Sequence, residues 1–314
     1  MNFPVFDLHC DTARALLGSS FRECGSLREN GYHIDLDRAK NLPGYAQCFA
    51  CYTDASVKSV RPVEQFERQM VSVLREVEKN SDLIQLVYTA DDVENNFQNG
   101  IMSAVLTIEG PGGFDYDPQL LEDLYTVGFR MTSLGWNEDN PLTGSHLSGG
   151  GLTAQGQAFL LEAQRLGFVI DVSHISDQGF WDVMAATQAP VIASHSDSRA
   201  LCNTSRNITD DMFKALCEAG GVVGINLYSR FIGNSADLDA ACDHILHFVE
   251  LDPEARHISL GGDLDGCDSL VSGFEGVQSY PALAERLKAR GLSDEMLYNI
   301  FWNNAIGVMR KCCT

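Results

Sequence analysis

FVIDVSHISDQGFWDVMAATQAPVIASHS, residues 168 to 196, sets two short apolar runs, Phe168 to Val172 and Val191 to Ser194, around a segment of helical period, Asp177 to Thr187. A short β-branched run, a helical stretch and a second short run make the repeating unit of a parallel sheet covered by helices. Each run leads into a histidine, His174 after the first and His195 after the second.

The same alternation extends in both directions. Further strands are predicted at Val5 to His9, Gln47 to Tyr52, Ala104 to Ile108, Phe129 to Leu134, Val222 to Asn226 and Ile258 to Gly261. Helical patterns cover Val63 to Lys79, Pro118 to Thr126, Thr153 to Leu166, Asp210 to Ala219, Asp237 to Val249 and a C-terminal set from Pro281 to Lys311. Eight strands alternating with helices predict an α/β fold, the (β/α)8 TIM barrel of metal-dependent hydrolases. A strand-like run at Leu83 to Thr89 leaves the second and third strands open in identity, so the count could be off by one. No repeat, low-complexity tract or linker divides the 314 residues, and one catalytic domain over 1–314 with C-terminal helices is expected.

Hydrophobic residues form 45% and charged residues 21% of the chain, enough apolar material for a large core. The net charge of −21, with no local Lys/Arg cluster, argues against binding nucleic acid or an anionic membrane. The start, MNFPVFDLHCDT, has no basic stretch leading into an apolar one, and no 18 consecutive residues are apolar. A soluble, cytoplasmic protein is therefore expected. Its ten cysteines are read as free thiols. Cys48 and Cys51 lie in one strand-like run, where alternation sends their sulfurs to opposite faces.

The chemistry gathers at strand ends. His9 and Asp11, two apart after the first strand, share one face of an extended segment. Glu109 follows Ala-Val-Leu-Thr-Ile, where a carboxylate is costly unless paired or bound to metal. His174, His195 and Asp263 likewise follow strands. Any one of them alone is an ordinary polar strand terminus. Together they would converge at the C-terminal mouth of one barrel, the end at which such enzymes keep their active sites. Imidazole and carboxylate suit zinc, and three histidines with two or three carboxylates suffice for two ions. Two ions need a bridging anion. The six lysines (Lys40, Lys58, Lys79, Lys214, Lys288, Lys311) fall in helical or loop contexts, which leaves Glu109.

The segments DLHCDT (7–12), LTIEG (106–110), VIDVSH (169–174), ASHSDSRALCNTSRNITDD (193–211) and GGDLDG (261–266) resemble, in order, spacing and flanking residues, those of the membrane (renal-type) dipeptidase family, peptidase family M19 of the amidohydrolase superfamily. The resemblance implies a zinc dipeptidase, its range including dipeptides with a D-residue at the C-terminal side. It implies two Zn2+ per chain, His9 and Asp11 on the first, His174 and His195 on the second, with Glu109 and a water or hydroxide as bridges. Asp263 would be the acid/base, and Arg206 would bind the substrate's terminal carboxylate. A homodimer is expected by analogy.

There is one departure. Well-studied members of the family carry a substrate-binding histidine in a Met-Thr-Leu-Thr-His type segment after a strand, and Gly135 stands in its place here, in Met131-Thr132-Ser133-Leu134-Gly135-Trp136-Asn137. Trp136 and Asn137 are then expected to shape the pocket, with Asn137 donating to the carbonyl oxygen. His33, His244, His247 and His257 are read as structural or surface residues, and Asp7 and Asp265 as strand-end residues or supports behind the ligands rather than as ligands. His146, in the Gly-rich stretch Pro141 to Leu152, is left open between structure and substrate contact. Two other readings stand beside the dipeptidase: a barrel hydrolase of a cyclic amide, lactone or phosphoester, and a metal-stabilised binding protein without turnover.

Overall fold

A computed structural model of the chain describes residues 3–22, 25–234 and 236–313. Among these residues, nine parallel strands form one sheet: β1 (Val5–Cys10), β2 (Tyr45–Tyr52), β3 (Ile84–Leu86), β4 (Met102–Glu109), β5 (Phe129–Ser133), β6 (Val169–Asp171), β7 (Val191–Ile192), β8 (Val223–Ile225) and β9 (Ile258–Leu260). Hydrogen-bonded neighbours run β7-β6-β5-β4-β2-β1-β9-β8, and a bridge from Ala193 to Val223 joins the two ends. The result is a closed ring of eight, as the alternation predicted.

The strand-like run at Leu83 to Thr89 supplies β3, which lies outside the ring and pairs with β4 from Ile84↔Met102 to Leu86↔Ala104. β5 takes β4 from Leu106 onward, so β3 fills the lower part of the same seam. Between β3 and β4 lies a helix the periodicity does not announce, Ala90–Gln98. Its sequence ADDVENNFQ offers few apolar positions, and a capping box sets its start, the Thr89 hydroxyl accepting from the Asp92 N–H and the Asp92 carboxylate from that of Thr89. The other major helices match their patterns: Pro62–Lys79, Ala154–Leu166, Asp177–Ala186, Asp210–Glu218 and Leu238–Leu251. Gly167 ends Ala154–Leu166 in a left-handed conformation, φ 97°, which glycine adopts without cost.

The barrel interior is apolar at its lower end. Phe6, Leu8, Ala46, Cys48, Val105, Met131, Val169 and Ile192 form one cluster with Trp302, Ile306 and Met309 of the C-terminal helices. That end is therefore plugged by the end of the chain, with the Phe6 and Trp302 rings 5.9 Å apart. Cys51 packs with the larger cluster and not with Cys48, as the strand alternation requires. The nine described cysteines are free, and Cys24 lies outside the described residues.

Candidate metal centre

At the opposite end of the ring the interior turns polar, and a bulge in β1 starts the change. Asp7 pairs with Gln47 but Cys10 with Phe49, so three residues of β1 face two of β2. The extra residue shifts the alternation by one: Phe6 and Leu8 point into the barrel below it, His9 and Asp11 above it. Without it, a strand that buries Phe6 and Leu8 inward would send His9 outward.

Six side chains from five strand ends meet there, all nearly inaccessible: His9, Asp11, Glu109, His174, His195 and Asp263. The Glu109 Oε1 lies 2.8 Å from His174 Nε2 and 3.6 Å from both His195 Nε2 and His9 Nε2. His9 Nε2 is 3.7 Å from Asp11 Oδ1 and 3.9 Å from Asp263 Oδ1. Ligand atoms of His9, Asp11 and Glu109, of Glu109, His174 and His195, and of His9, His195 and Asp263 each lie within 4.8 Å of one another. Glu109, His9 and His195 each belong to two of these sets.

The donor set fits a metal on physical grounds. His9 Nε2, Asp11 Oδ1 and Glu109 Oε2 are buried and have no hydrogen-bond partner among the described residues. Atoms of this kind carry a large desolvation cost that a cation would offset. His174 Nε2 and His195 Nε2 are 2.9 Å apart. Two neutral imidazoles at that distance oppose their lone pairs unless a proton or a cation lies between them. Burial holds the His9 imidazole down to about 3, with Arg206 adding to the effect, and lowers His174 and His195 well below the ordinary range for the same reason. All three are therefore neutral, as ligands must be. Burial first, then mutual repulsion among Asp11, Glu109 and Asp263, pushes Asp11 and Glu109 well above the usual carboxylate range.

The ligands are held from behind. Asp7, fully buried, accepts from the His9 N–H at 2.9 Å, from the Gly262 N–H at 3.1 Å and from the Tyr280 hydroxyl, tying β1 to the segment after β9. Asp171 accepts from the Ser194 hydroxyl at 2.5 Å, and Ser194 Oγ lies 2.7 Å from His195 Nδ1. Asn137 Oδ1 stands 2.9 Å from His174 Nδ1. An amide oxygen accepts only, so the proton sits on Nδ1 and the Nε2 lone pair faces Glu109 and His195. Asp265 accepts from the Thr12 hydroxyl at 2.6 Å and the His33 N–H at 2.6 Å. Asp7 thus supports His9 through its main-chain N–H, whereas Asp265 braces Thr12 and His33 and bonds no metal-site histidine among the described residues. The Asp171–Ser194 pair was not read from the sequence, although an aspartate inside the buried run Val-Ile-Asp-Val was a signal for it.

Two ligand-site residues hold unusual backbone. His174 has φ 71° and Asp263 φ 54°, left-handed values that cost a non-glycine roughly 1–3 kcal/mol each. Gly261, two residues before Asp263, permits the close approach behind this turn, since a Cβ there would lie 1.7 Å from the Ser194 carbonyl oxygen. Asp263 is buried, which raises its carboxyl, while the Asn226 amide donating to Oδ2 at 3.1 Å and nearby Arg206 oppose the rise.

Arg206 is 3% exposed. Its Nη1 donates to Ser196 Oγ at 3.1 Å, whereas Nε and Nη2 have no partner among the described residues. Trp136 is half-buried, its ring 5.3 Å from that of Tyr52 and 6.4 Å from that of His174. A Cβ at Gly135 would come within 2.7 Å of Asn140 Nδ2, a side-chain end that would have to shift to admit it. The ring that faces the site at this strand exit comes from the next residue. His146 reaches the same region, its Nε2 3.2 Å from Asn137 Oδ1 and its Nδ1 3.0 Å from Ser205 Oγ. The remaining histidines are structural: His244 spans Ser198 N–H and the Ile232 carbonyl, His247 pairs with Asp210, and His257 meets the Gly221 carbonyl.

The family model described as membrane dipeptidase (peptidase family M19) matches residues 1–314. The chain belongs to peptidase family M19. An uncharacterized dipeptidase of Schizosaccharomyces pombe is 32% identical over 90% of this chain and 73% of its own length. The crystal structure of dipeptidase AC, an M19 metallopeptidase, superposes with a TM-score of 0.90 at 26% identity, over 100% of this chain and 99% of the other. A metallopeptidase from Rhodobacter sphaeroides, liganded with a phosphinate mimic of the dipeptide L-Ala-D-Ala, does so with a TM-score of 0.88 at 25% identity, over 99% of this chain and 100% of the other. This M19 chain is a metal-dependent dipeptidase on the amidohydrolase-type barrel. None of its described helices is long and apolar enough to cross a membrane.

Proposed function

We propose that residues 1–314 act as one catalytic unit holding two zinc ions, His9 and Asp11 on one, His174 and His195 on the other, and Glu109 on both. The observation that carries this reading is the set of buried ligand atoms without protein partners, His9 Nε2, Asp11 Oδ1 and Glu109 Oε2, beside the paired Nε2 atoms of His174 and His195. When bound, such a pair of cations polarises a carbonyl and acidifies a shared water.

The chain's own residues supply the rest. Asp263 Oδ1 faces the cluster while Oδ2 is held by Asn226, so Oδ1 is the atom that takes the nucleophile's proton and passes it to the leaving amine. Arg206 offers two unpartnered N–H edges to the dipeptide's carboxylate. Trp136 and Tyr52 wall the entrance, and Asn137, its oxygen occupied by imidazoles, turns its amide nitrogen to the substrate carbonyl. L-Xaa-D-Xaa dipeptides are included in the range because the Rhodobacter relative takes a mimic of that stereochemistry.

Metal analysis of the purified protein, followed by a panel of L,L and L,D dipeptides, tests this. About two zinc equivalents per chain, lost together with turnover on chelation, are expected; full activity in metal-free protein sinks the reading. The free thiols support a reducing, cytoplasmic location, checked by cell fractionation. A homodimer is the expected assembly, checked by light scattering.

A further inference from the structure

Arg206 is fixed by one direct side-chain hydrogen bond, yet a carboxylate anchor must hold its fork in one place. The backbone around it shows how. Arg199 donates from Nε to the Asn207 carbonyl at 2.7 Å and from Nη2 to the Ser205 carbonyl at 3.3 Å, the residues on either side of Arg206. Its own N–H donates to the Ile208 carbonyl at 2.8 Å. The same guanidinium makes a two-pronged pair with Asp177, Nη1 to Oδ2 at 2.6 Å and Nη2 to Oδ1 at 2.7 Å. Asp177 opens the helix Asp177–Ala186, three residues after His174.

One planar group therefore grips the carbonyls of the two residues on either side of Arg206 and ties them to the segment that carries a metal-site histidine. We infer that Arg199, seated on Asp177, is a positioning residue that sets the Arg206 fork at a fixed distance from the metal centre and so registers the dipeptide's carboxylate against its scissile bond. This rests on the reading of Arg206 as the carboxylate anchor. Asp177 is half exposed, and a pair of that kind adds little stability. Its bidentate geometry restricts direction more than it adds energy. A registering role and a merely structural one thus make different demands on experiment.

The test uses the full-length, zinc-loaded enzyme and compares KM and kcat for a dipeptide and its C-terminal amide in wild type, Arg199→Ala, Arg199→Lys, Asp177→Asn and Arg206→Ala, with metal content and Tm for each. Arg199→Ala is expected to raise KM for the free dipeptide on the order of tenfold to a hundredfold, the scale of a misplaced binding group. The amide should be nearly unaffected and two metals retained. Arg199→Lys keeps the charge but cannot span both carbonyls and Asp177, so it should lose part of the preference for the free carboxylate with Tm near wild type. It also keeps the test open if the alanine variant fails to fold. Asp177→Asn should act in the same direction, and combined with Arg199→Ala it should add nothing further. A lowered Tm with an unchanged ratio of free to amidated substrate overturns the inference. If Arg206→Ala discriminates the two substrates while the Arg199 variants do not, the inference falls and the anchor reading stands. If Arg206→Ala does not discriminate them either, both fall.

Discussion

The two ends of the barrel are built from the same eight strands and behave oppositely. At the lower end the inward side chains, Phe6, Leu8, Cys48, Val105, Met131, Val169 and Ile192, close on Trp302, Ile306 and Met309. Nothing there asks for a partner. At the upper end the next inward positions are His9, Asp11, Glu109, Asp171, His174, His195 and Asp263, equally buried. That end also holds most of the buried side-chain atoms left without hydrogen bonds among the described residues, on His9, Asp11, Glu109, Asp197 and Arg206. Two of its residues, His174 and Asp263, keep left-handed backbone that a fold optimised for stability alone would avoid. The contrast is a division of labour: the plug end supplies the stability, and the mouth spends some of it on groups that are satisfied only when a ligand arrives.

The sharpest way to break this comparison is at the mouth. Asp263→Asn should lower kcat by roughly a hundredfold to ten-thousandfold, the range of a general acid/base, while metal content stays at wild-type level by elemental analysis. Survival of turnover would move the proton-handling role elsewhere. At the plug, Trp302→Ala should cost about 3–5 kcal/mol in denaturant unfolding and leave KM for a dipeptide unchanged. A specific loss of metal from that variant would show that the ends are not independent.

Smaller effects sharpen the picture. Ser194→Ala removes the link from Asp171 to His195, and Asn137→Ala frees the His174 ring. Each should weaken zinc binding about tenfold to a hundredfold in a competitive chelator titration, the usual effect of a residue that orients a ligand.

Proton release should separate the two ligand types. In the metal-free protein Asp11 and Glu109 keep protons to higher pH than ordinary carboxylates, while burial keeps His9, His174 and His195 in the neutral form, with a single ring proton, at neutral pH. Metal must therefore displace carboxylate protons, and affinity should rise about tenfold per pH unit for each proton displaced until those groups are ionised. Calorimetry in buffers of different protonation enthalpy counts the protons; affinity that is flat across the acid side of neutral contradicts the assignment. The smallest effect lies outside both ends. His247→Gln, at the pair with Asp210, should change stability by less than about 0.5 kcal/mol.

Much of the fold is legible in the order of the amino acids. The eight short apolar runs are the eight ring strands, five of them leading into His or an acid, because burial on both faces leaves a continuous apolar signature. The long helices are legible through their period and caps, Thr153 with Gly167 and Thr209 being clear cases. The helix Ala90–Gln98 is not, since it buries little and owes its start to a capping box. The strand β3 is visible as a run, but whether it enters the ring depends on β5 claiming β4 above Leu106. Around the site, Asp7 can be read as a support behind His9 from its motif, whereas the contacts of Asp265 with Thr12 and His33 cannot. The Asp171–Ser194 link, the His146–Ser205 contact and the Arg199–Asp177 pair cannot, because each joins residues brought together only by neighbouring strands and loops of the barrel.

The sequence by itself determined the barrel, the family and which residue types stand at the strand ends, since periodicity and motif order are local properties of the chain. Only the tertiary structure decided that those residues face one another. The bulge in β1 turns His9 and Asp11 inward, the approach of Gly261 to Ser194 seats Asp263 beside them, and closure of the ring between Ala193 and Val223 brings His195 round to His9, with their rings 3.7 Å apart. Convergence of this kind is a matter of register and closure, which depend on pairings between distant segments and leave no trace in any one of them.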